Sequence, residues 1–246
     1  MPTTGRTPTR SQPPVHTAED ERERLRVVYR DYRQDSGVAL RWAAANPGNA
    51  AIVAERNRAA SELVAAWGGL AAGSRLLDIG CGETTTLGPD IARGDVIHLG
   101  VDILFERVAA ARQAGRLRAE ACADGAALPL RSSSVDLATL YTVFSSVGDR
   151  AICVAIADEI QRVLRPGGAV LWYDFRYRNP SNRHTHAVTR NDAETYFHGF
   201  EHHWQRVTLL PPLARRLGRF TPPLYRVLGA VPGARSHLLG LFVKGK

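Results

Sequence analysis

Arg75-Leu-Leu-Asp-Ile-Gly-Cys-Gly-Glu-Thr84 is the stretch from which the rest of the chain can be read. It begins as a short apolar run and passes directly into two closely spaced glycines. A buried strand feeding a tight turn is what that order predicts. Gly80 lets the chain turn sharply at the strand's end, and Gly82 lets backbone approach a ligand with no Cβ between them. A helix is expected next, opened by Glu83 and the threonines Thr84, Thr85 and Thr86. An acid, Asp102, then follows at the spacing of about 20 residues seen in nucleotide-cofactor sites of doubly wound sheets.

Downstream, apolar runs alternate with helical periodicity. Strands are expected at 75–79, 96–101, 118–122, 135–140, 169–174, 203–209 and 238–244, and helices at 85–92, 103–114, 149–163 and 190–199. Such alternation implies parallel pairing with helices on both faces, a Rossmann-like doubly wound α/β sheet. Leu164-Arg-Pro-Gly-Gly168 should stop a helix and turn the chain into a strand. Upstream, residues 1–17 are rich in Thr, Pro, Arg and Ser and read as a disordered tail. Residues 18–70 read as a helical cap: an amphipathic helix over 18–35, a short one over 38–45, and a third capped by Asn49 that runs to Trp67. Residues 71–246 form the α/β domain, with a proline-broken insertion of short helices over 210–236.

Three acids stand at or beside consecutive strand ends: Asp78, Asp102 and Asp124. All would face the crevice where such sheets bind ligands. Asp78 can hold the loop or a ligand's ammonium group. Asp102 can accept from both hydroxyls of a ribose, or cap the following helix. Asp124 can accept from an adenine amine, with Gly125 N–H near a ring nitrogen. The order D-x-G-x-G favours S-adenosylmethionine over a nicotinamide dinucleotide, because Thr85 stands where the third glycine of the dinucleotide fingerprint should fall.

Taken together, Leu77-Asp-Ile-Gly-Cys-Gly82, Val101-Asp102, Ala123-Asp124, Val135-Asp136-Leu137 and Leu164-Arg-Pro-Gly-Gly168 resemble the class I S-adenosylmethionine-dependent methyltransferases over roughly Arg75 to Phe175. The resemblance implies strand order 3-2-1-4-5-7-6 with the last strand reversed. It also implies a cofactor set of Asp78, Gly80, Cys81, Gly82, Asp102, Ile103, Asp124, Gly125 and Tyr141. Two departures stand out. Many members carry a third glycine where Thr84 stands, and many carry a histidine within the segment that here reads Val143-Phe-Ser-Ser-Val147.

The acceptor side is read from the loops after strands four and five. Phe144 and Arg176 are candidate acceptor contacts there, and Tyr32 joins them from the N-terminal cap. Tyr29, Arg41 and Trp42 are further candidates for a lid. His184 and His186 are the candidate bases, needed only if the acceptor must lose a proton. The stretch Trp172-Tyr-Asp-Phe-Arg-Tyr177 resembles a small-molecule subgroup that accompanies natural-product or glycan genes, so a small-molecule acceptor is expected.

Charge leaves the acceptor class open. The net charge is +8, and Lys244 and Lys246 are the lysines among 32 basic residues. A GC-rich genome gives that arginine bias as readily as phosphate binding does. No acid follows Glu201, so the C-terminal end carries one sign and suits an anionic acceptor. A nucleic-acid methyltransferase fits the charge but lacks a recognisable RNA-binding module or target-base motif. A non-catalytic cofactor-binding partner protein also fits, since no decisive catalytic residue stands out. Cys81, Cys122 and Cys153 show no zinc spacing, and Cys81 and Cys122, at strand ends, are expected reduced and packed. With neither an apolar leader at 1–18 nor a window of 18 apolar residues, a cytoplasmic protein without a membrane span is expected.

Overall fold

The computed structural model describes residues 18–34, 45–83, 87–88, 90–91, 95–115, 117–178, 182 and 184–246. Seven strands form one sheet, β1 (Arg75–Ile79), β2 (Ile97–Asp102), β3 (Ala119–Cys122), β4 (Val135–Tyr141), β5 (Leu164–Phe175), β6 (Glu201–Leu209) and β7 (Arg235–Val243). Their order is β3-β2-β1-β4-β5-β7-β6. Pairing is parallel from β3 across to β5, and β7 runs antiparallel to both β5 and β6. Strand order and reversed strand are as the family resemblance implied.

Strands buried on both faces explain why the central runs are continuously apolar. Side chains alternate across the sheet, so register sorts them into two layers. Leu77 pairs with Ala138, Ala138 with Val170 and Val170 with Phe242. That row packs with Ile156, Ile160 and Val163 of α4 (Arg150–Val163) and Ala193 of α5 (Arg190–Tyr196). Leu76, Leu137 and Leu171 point the other way, onto Ala60, Leu63 and Val64 of α2 (Pro47–Trp67). Two shorter helices, α6 (Pro211–Arg216) and α7 (Thr221–Gly229), fill the connection from β6 to β7. Ala214 and Tyr225 from them close a third small core with Ile52 of α2.

Local chemistry moves several boundaries. The N-cap of α2 is Asn46, whose side chain accepts from the N–H of Gly48 at 2.9 Å and of Asn49 at 3.3 Å. Asn49, expected as that cap, lies inside the helix and accepts instead from Arg215 Nε at 2.9 Å. The cue was Pro47, a residue suited to the first helical position. Strand β5 begins at Leu164, earlier than expected, because Leu164 already pairs with Val135 before the Pro166–Gly168 bulge. The helix expected over 85–92 lies mostly outside the described residues, and Leu87, Gly88, Asp90 and Ile91 are not helical. Residues 1–17, the short helix expected over 38–45 up to Ala44, and Thr84 to Thr86 also lie outside them. Among the described residues no helix is long and apolar enough to cross a membrane.

Candidate active site

A cavity opens at the carboxyl ends of β1, β2 and β4. It is lined by Ile79, Gly80, Val101, Asp102, Ile103, Ala123, Asp124, Gly125, Tyr141, Thr142, Val143, Ser146, Val147, Ile152 and Ile156. Its remaining wall comes from Glu21, Leu25 and Tyr29 of α1 (Ala18–Gln34). The structure thus brings six of the expected cofactor residues to one cavity, namely Gly80, Asp102, Ile103, Asp124, Gly125 and Tyr141.

Gly80 and Gly82 both take left-handed backbone, at φ 68° and 66°. A Cβ on Gly80 would stand 2.9 Å from the Val143 side chain, and one on Gly82 would collide with the Arg107 guanidinium. This turn therefore requires glycine twice, by conformation and by space. Asp102 Oδ2 accepts from Gly82 N–H and Asp102 Oδ1 from Leu104 N–H, both at 3.0 Å. One carboxylate thus fixes the glycine loop and opens α3 (Phe105–Ala114). Asp124 Oδ1 accepts from Ala126 N–H at 2.9 Å, a tight local turn that sets Gly125 at the wall. A nucleoside-bearing cofactor fits this cradle: bare glycine backbone, a carboxylate at β2 and a polar turn after β3.

Other expected residues lie elsewhere. Asp78 is 2% exposed, and its Oδ1 accepts from Thr139 Oγ1 at 2.8 Å, tying β1 to β4. Cys81 is buried, and burial pushes its thiol up to about 12. Cys122, expected to be packed, is exposed, because the edge strand β3 has no neighbour on its outer side. Phe144, expected to meet the acceptor, is fully buried against Tyr196 and Phe197 and serves the core. Arg176 lines a separate groove with Tyr177, Arg190, Trp204 and Arg206, outside the cofactor cavity.

Helix α1 is fastened across the cavity at several points. Glu21, 5% exposed, accepts from Gly148 N–H at 2.9 Å and from Arg24 Nε at 2.8 Å. Arg24 also donates to Ser146 O. Tyr32 donates to Asn182 Oδ1 at 2.8 Å, and the same oxygen accepts from His184 N–H at 3.0 Å. The Arg107 guanidinium lies 3.9 Å above the Tyr29 ring. Sequence reasoning placed Tyr29 and Tyr32 in a lid and Asn182 in the acceptor-side loop after strand five, but missed Glu21, Arg24 and Arg107. An arginine in the first turn of α3, where a cation opposes the helix dipole, was an available signal for Arg107. Arg41 and Trp42 lie outside the described residues.

The residues expected on the acceptor side lie at the end of β4 and after β5. Thr142 sits at φ 58°, a strained state for a β-branched residue, and lines the cavity. The Tyr141 hydroxyl is buried without a hydrogen-bond partner, and burial raises its pKa. Asp174 is fully buried and accepts from Ser145 N–H at 3.0 Å and from Phe175 N–H at 2.8 Å. Burial outweighs those bonds and pushes its carboxyl up to about 7. His186 is fixed through its backbone N–H to Ser145 O at 3.0 Å. Desolvation lowers its pKa, with Arg24 acting the same way and Asp192 and Glu21 opposing. His184 is exposed beside the Tyr32 ring. Among the described residues, no group of three or more His, Cys, Asp or Glu side chains is placed to hold a metal ion.

Residues 77–172 match the family described as "Methyltransferase domain". No curated protein matches the chain. Among solved structures, an S-adenosylmethionine-dependent methyltransferase of Methanosarcina mazei shares 19% identity, with 74% of this chain and 97% of that one covered and a TM-score of 0.54. The geranyl diphosphate C-methyltransferase of Streptomyces coelicolor A3(2), solved with S-adenosyl-L-homocysteine, shares 16% identity over 76% of each chain at a TM-score of 0.57. The [4+2]-cyclase SpnF shares 21% over 77% of this chain and 80% of its own, at 0.56. At these identities the structures show a common fold, and the family match to β1 through β5 adds the methyltransferase domain and its cofactor, S-adenosylmethionine.

Proposed function

We propose that this S-adenosylmethionine-dependent methyltransferase acts on a small molecule held between α1 and the ends of β4 and β5, in secondary-metabolite or glycan biosynthesis. The observation that carries the reading is the α1 wall. Glu21, Leu25 and Tyr29 cover the cavity, so the reacting atoms sit in a room scaled to a small ligand. A nucleic-acid strand would need an open basic groove at that place. The geranyl diphosphate C-methyltransferase has the same fold, and by its name its acceptor is a small molecule.

When bound, the cofactor supplies an electrophilic methyl group on a sulfonium. The chain's own residues supply the rest. In this reading Gly80 gives the cofactor close backbone contact, Gly82 holds Asp102 through its N–H, Asp102 accepts from the ribose, and Asp124 with Gly125 receives the adenine. Ile103, Val147, Ile152 and Ile156 keep water away. Alignment of acceptor and methyl is the main contribution, and it can supply several kcal/mol of the barrier. If the acceptor is a hydroxyl or an acidic carbon, His186 is the candidate base: its side chain is exposed and does not line the cavity, but its backbone is tied to Ser145 just past the end of β4. Its lowered pKa leaves the imidazole neutral and able to take a proton at neutral pH. An anionic group on the acceptor suits the positive C-terminal end; the groove of Arg176 and Arg206 lies outside the cavity and would be reached only by a long acceptor.

A thermal shift with S-adenosylhomocysteine and with NAD tests the cofactor assignment. A ligand at 100 times its Kd adds about 2.7 kcal/mol to the native state. We expect stabilisation by S-adenosylhomocysteine and none by NAD. In an acceptor screen, His186→Ala should slow turnover of hydroxyl acceptors while leaving S-adenosylhomocysteine affinity unchanged. A wild-type rate would remove His186 as the base.

A further inference from the structure

We propose that Arg107 is a positioning residue that competes with the cofactor's ribose for Asp102 and thereby links cofactor binding to the seating of α1. The inference rests on the ribose assignment to Asp102.

Its first support is where Arg107 stands. It occupies the first turn of α3, at the positive end of the helix, where an acid is favoured and a cation opposed. What holds it there is the pocket. Its Nε lies 3.4 Å from Asp102 Oδ2, and the side chain is 17% exposed. The guanidinium occupies the space a Cβ on Gly82 would need, and its opposite face lies 3.9 Å from the Tyr29 ring centroid. One planar cation is thus clasped between the glycine loop, the β2 acid and the covering helix.

The second support is a count of acceptor sites. A carboxylate offers about four lone pairs. Leu104 N–H uses one on Oδ1 and Gly82 N–H one on Oδ2. The two that remain are one per oxygen, which matches a pair of vicinal hydroxyls. Arg107 stands against Oδ2. Its Nε makes no hydrogen bond there, so the lone pair of Oδ2 is open, but the guanidinium stands in the approach to it, and a ribose donating to both oxygens has to displace it. As the guanidinium leaves Asp102 it also leaves its place under Tyr29. The other ties of α1, through Glu21, Arg24 and Tyr32, do not involve Arg107. Cofactor and α1 are then coupled through one side chain, and coupling of this kind is reciprocal.

Arg107→Met keeps the aliphatic stem and removes the charge. Titration calorimetry with S-adenosylhomocysteine should give a Kd several-fold lower than wild type. Amide exchange over 18–34, which in the wild type should change on S-adenosylhomocysteine binding, should become insensitive to the ligand. In an Asp102→Asn background the same substitution should have no effect on Kd, since no carboxylate is left to contest. Arg107→Lys, which keeps the charge, should retain the wild-type Kd. Unchanged or weaker binding by Arg107→Met, with the wild type binding normally, overturns the proposal and leaves the cofactor reading intact. Failure of the wild type to bind S-adenosylhomocysteine overturns the cofactor reading itself.

Discussion

The two halves of the sheet are held together in different ways. On the β3-β2-β1 side, the polar contacts that shape the cavity are mostly local. Asp124 reaches the N–H two residues on, Asp102 reaches two residues on to Leu104 and 20 back to Gly82. On the β5-β7-β6 side they join distant parts of the chain. Glu55 of α2 accepts from Thr208 N–H and the Tyr225 hydroxyl, both at 2.8 Å, and pairs with Arg235, across separations of 153, 170 and 180 residues. Tyr173 stacks on His237 at 4.7 Å and hydrogen-bonds Thr208 at 2.8 Å. The turns that shape the cavity at β1 to β3 are thus local, and the β5-β7-β6 half is set by tertiary packing. The first should tolerate change elsewhere in the molecule. The second should not.

Glu55→Ala is the strongest way to break that contrast. The Glu55 side chain is 9% exposed, and its loss strands a part-buried guanidinium, a phenol and a backbone N–H. We expect a stability loss of about 3–5 kcal/mol in denaturant titration. S-adenosylhomocysteine affinity of the folded fraction should stay near wild type. A collapse of that affinity would show that the halves are not independent.

Asp174→Asn should act next. Its folded pKa, about 7, lies above the ordinary 3.8, so the native state holds a proton that the unfolded chain releases between those values. The group therefore costs stability progressively as pH rises from about 4 to about 7. Two buried histidines act in the opposite sense, because burial pulls His98 down to about 4 and His237 to about 3. Removing the acid should leave the histidines' rise with pH unopposed. The variant should gain on wild type by up to roughly 3 kcal/mol at pH 7 relative to pH 4. Parallel pH–stability curves for the two proteins would show that Asp174 is ionised throughout.

Asp102→Ala sharpens the comparison from the other side. Affinity for S-adenosylhomocysteine should fall by an order of magnitude or more, about 1.4 kcal/mol. The cost in stability should be smaller than that of Glu55→Ala. Unchanged affinity would sink the ribose assignment.

How far the sequence could be read follows the same division. Leu76 to Gly82, Asp102 and Asp124 were legible because each acts through its own strand end or turn. Strand order came with the family resemblance that those segments carry. Helix α1 was legible as an amphipathic helix, but an apolar face does not say what it covers. Glu21 and Arg24 look like an ordinary surface ion pair until Gly148 and Ser146 are brought to them. Phe144 was misread because a residue just past a strand end can point to the cavity or to the core, and the residues that decide, Tyr196 and Phe197, are remote in sequence. Glu55 carried no signal, since all three of its partners lie beyond residue 200. The arginines of the C-terminal end were visible as charge alone, and Arg235 proves to be a part-buried structural partner of Glu55.

The span from Glu55 to Arg235 also bears on how the chain is made. Helix α2 is synthesised early, yet the third small core that seats it needs Tyr225 and Ala234, and its buried carboxylate needs Arg235. On the ribosome, β1 to β4 can pair and cover Ala60, Leu63 and Val64 while the part of α2 that carries Ile52 and Glu55 still waits. Contacts this distant are slow to form and leave intermediates open to misassembly. A ribosome stalled before residue 235 should therefore display a protease-sensitive N-terminal half of α2 beside a sheet, β1 to β4, that is already protected.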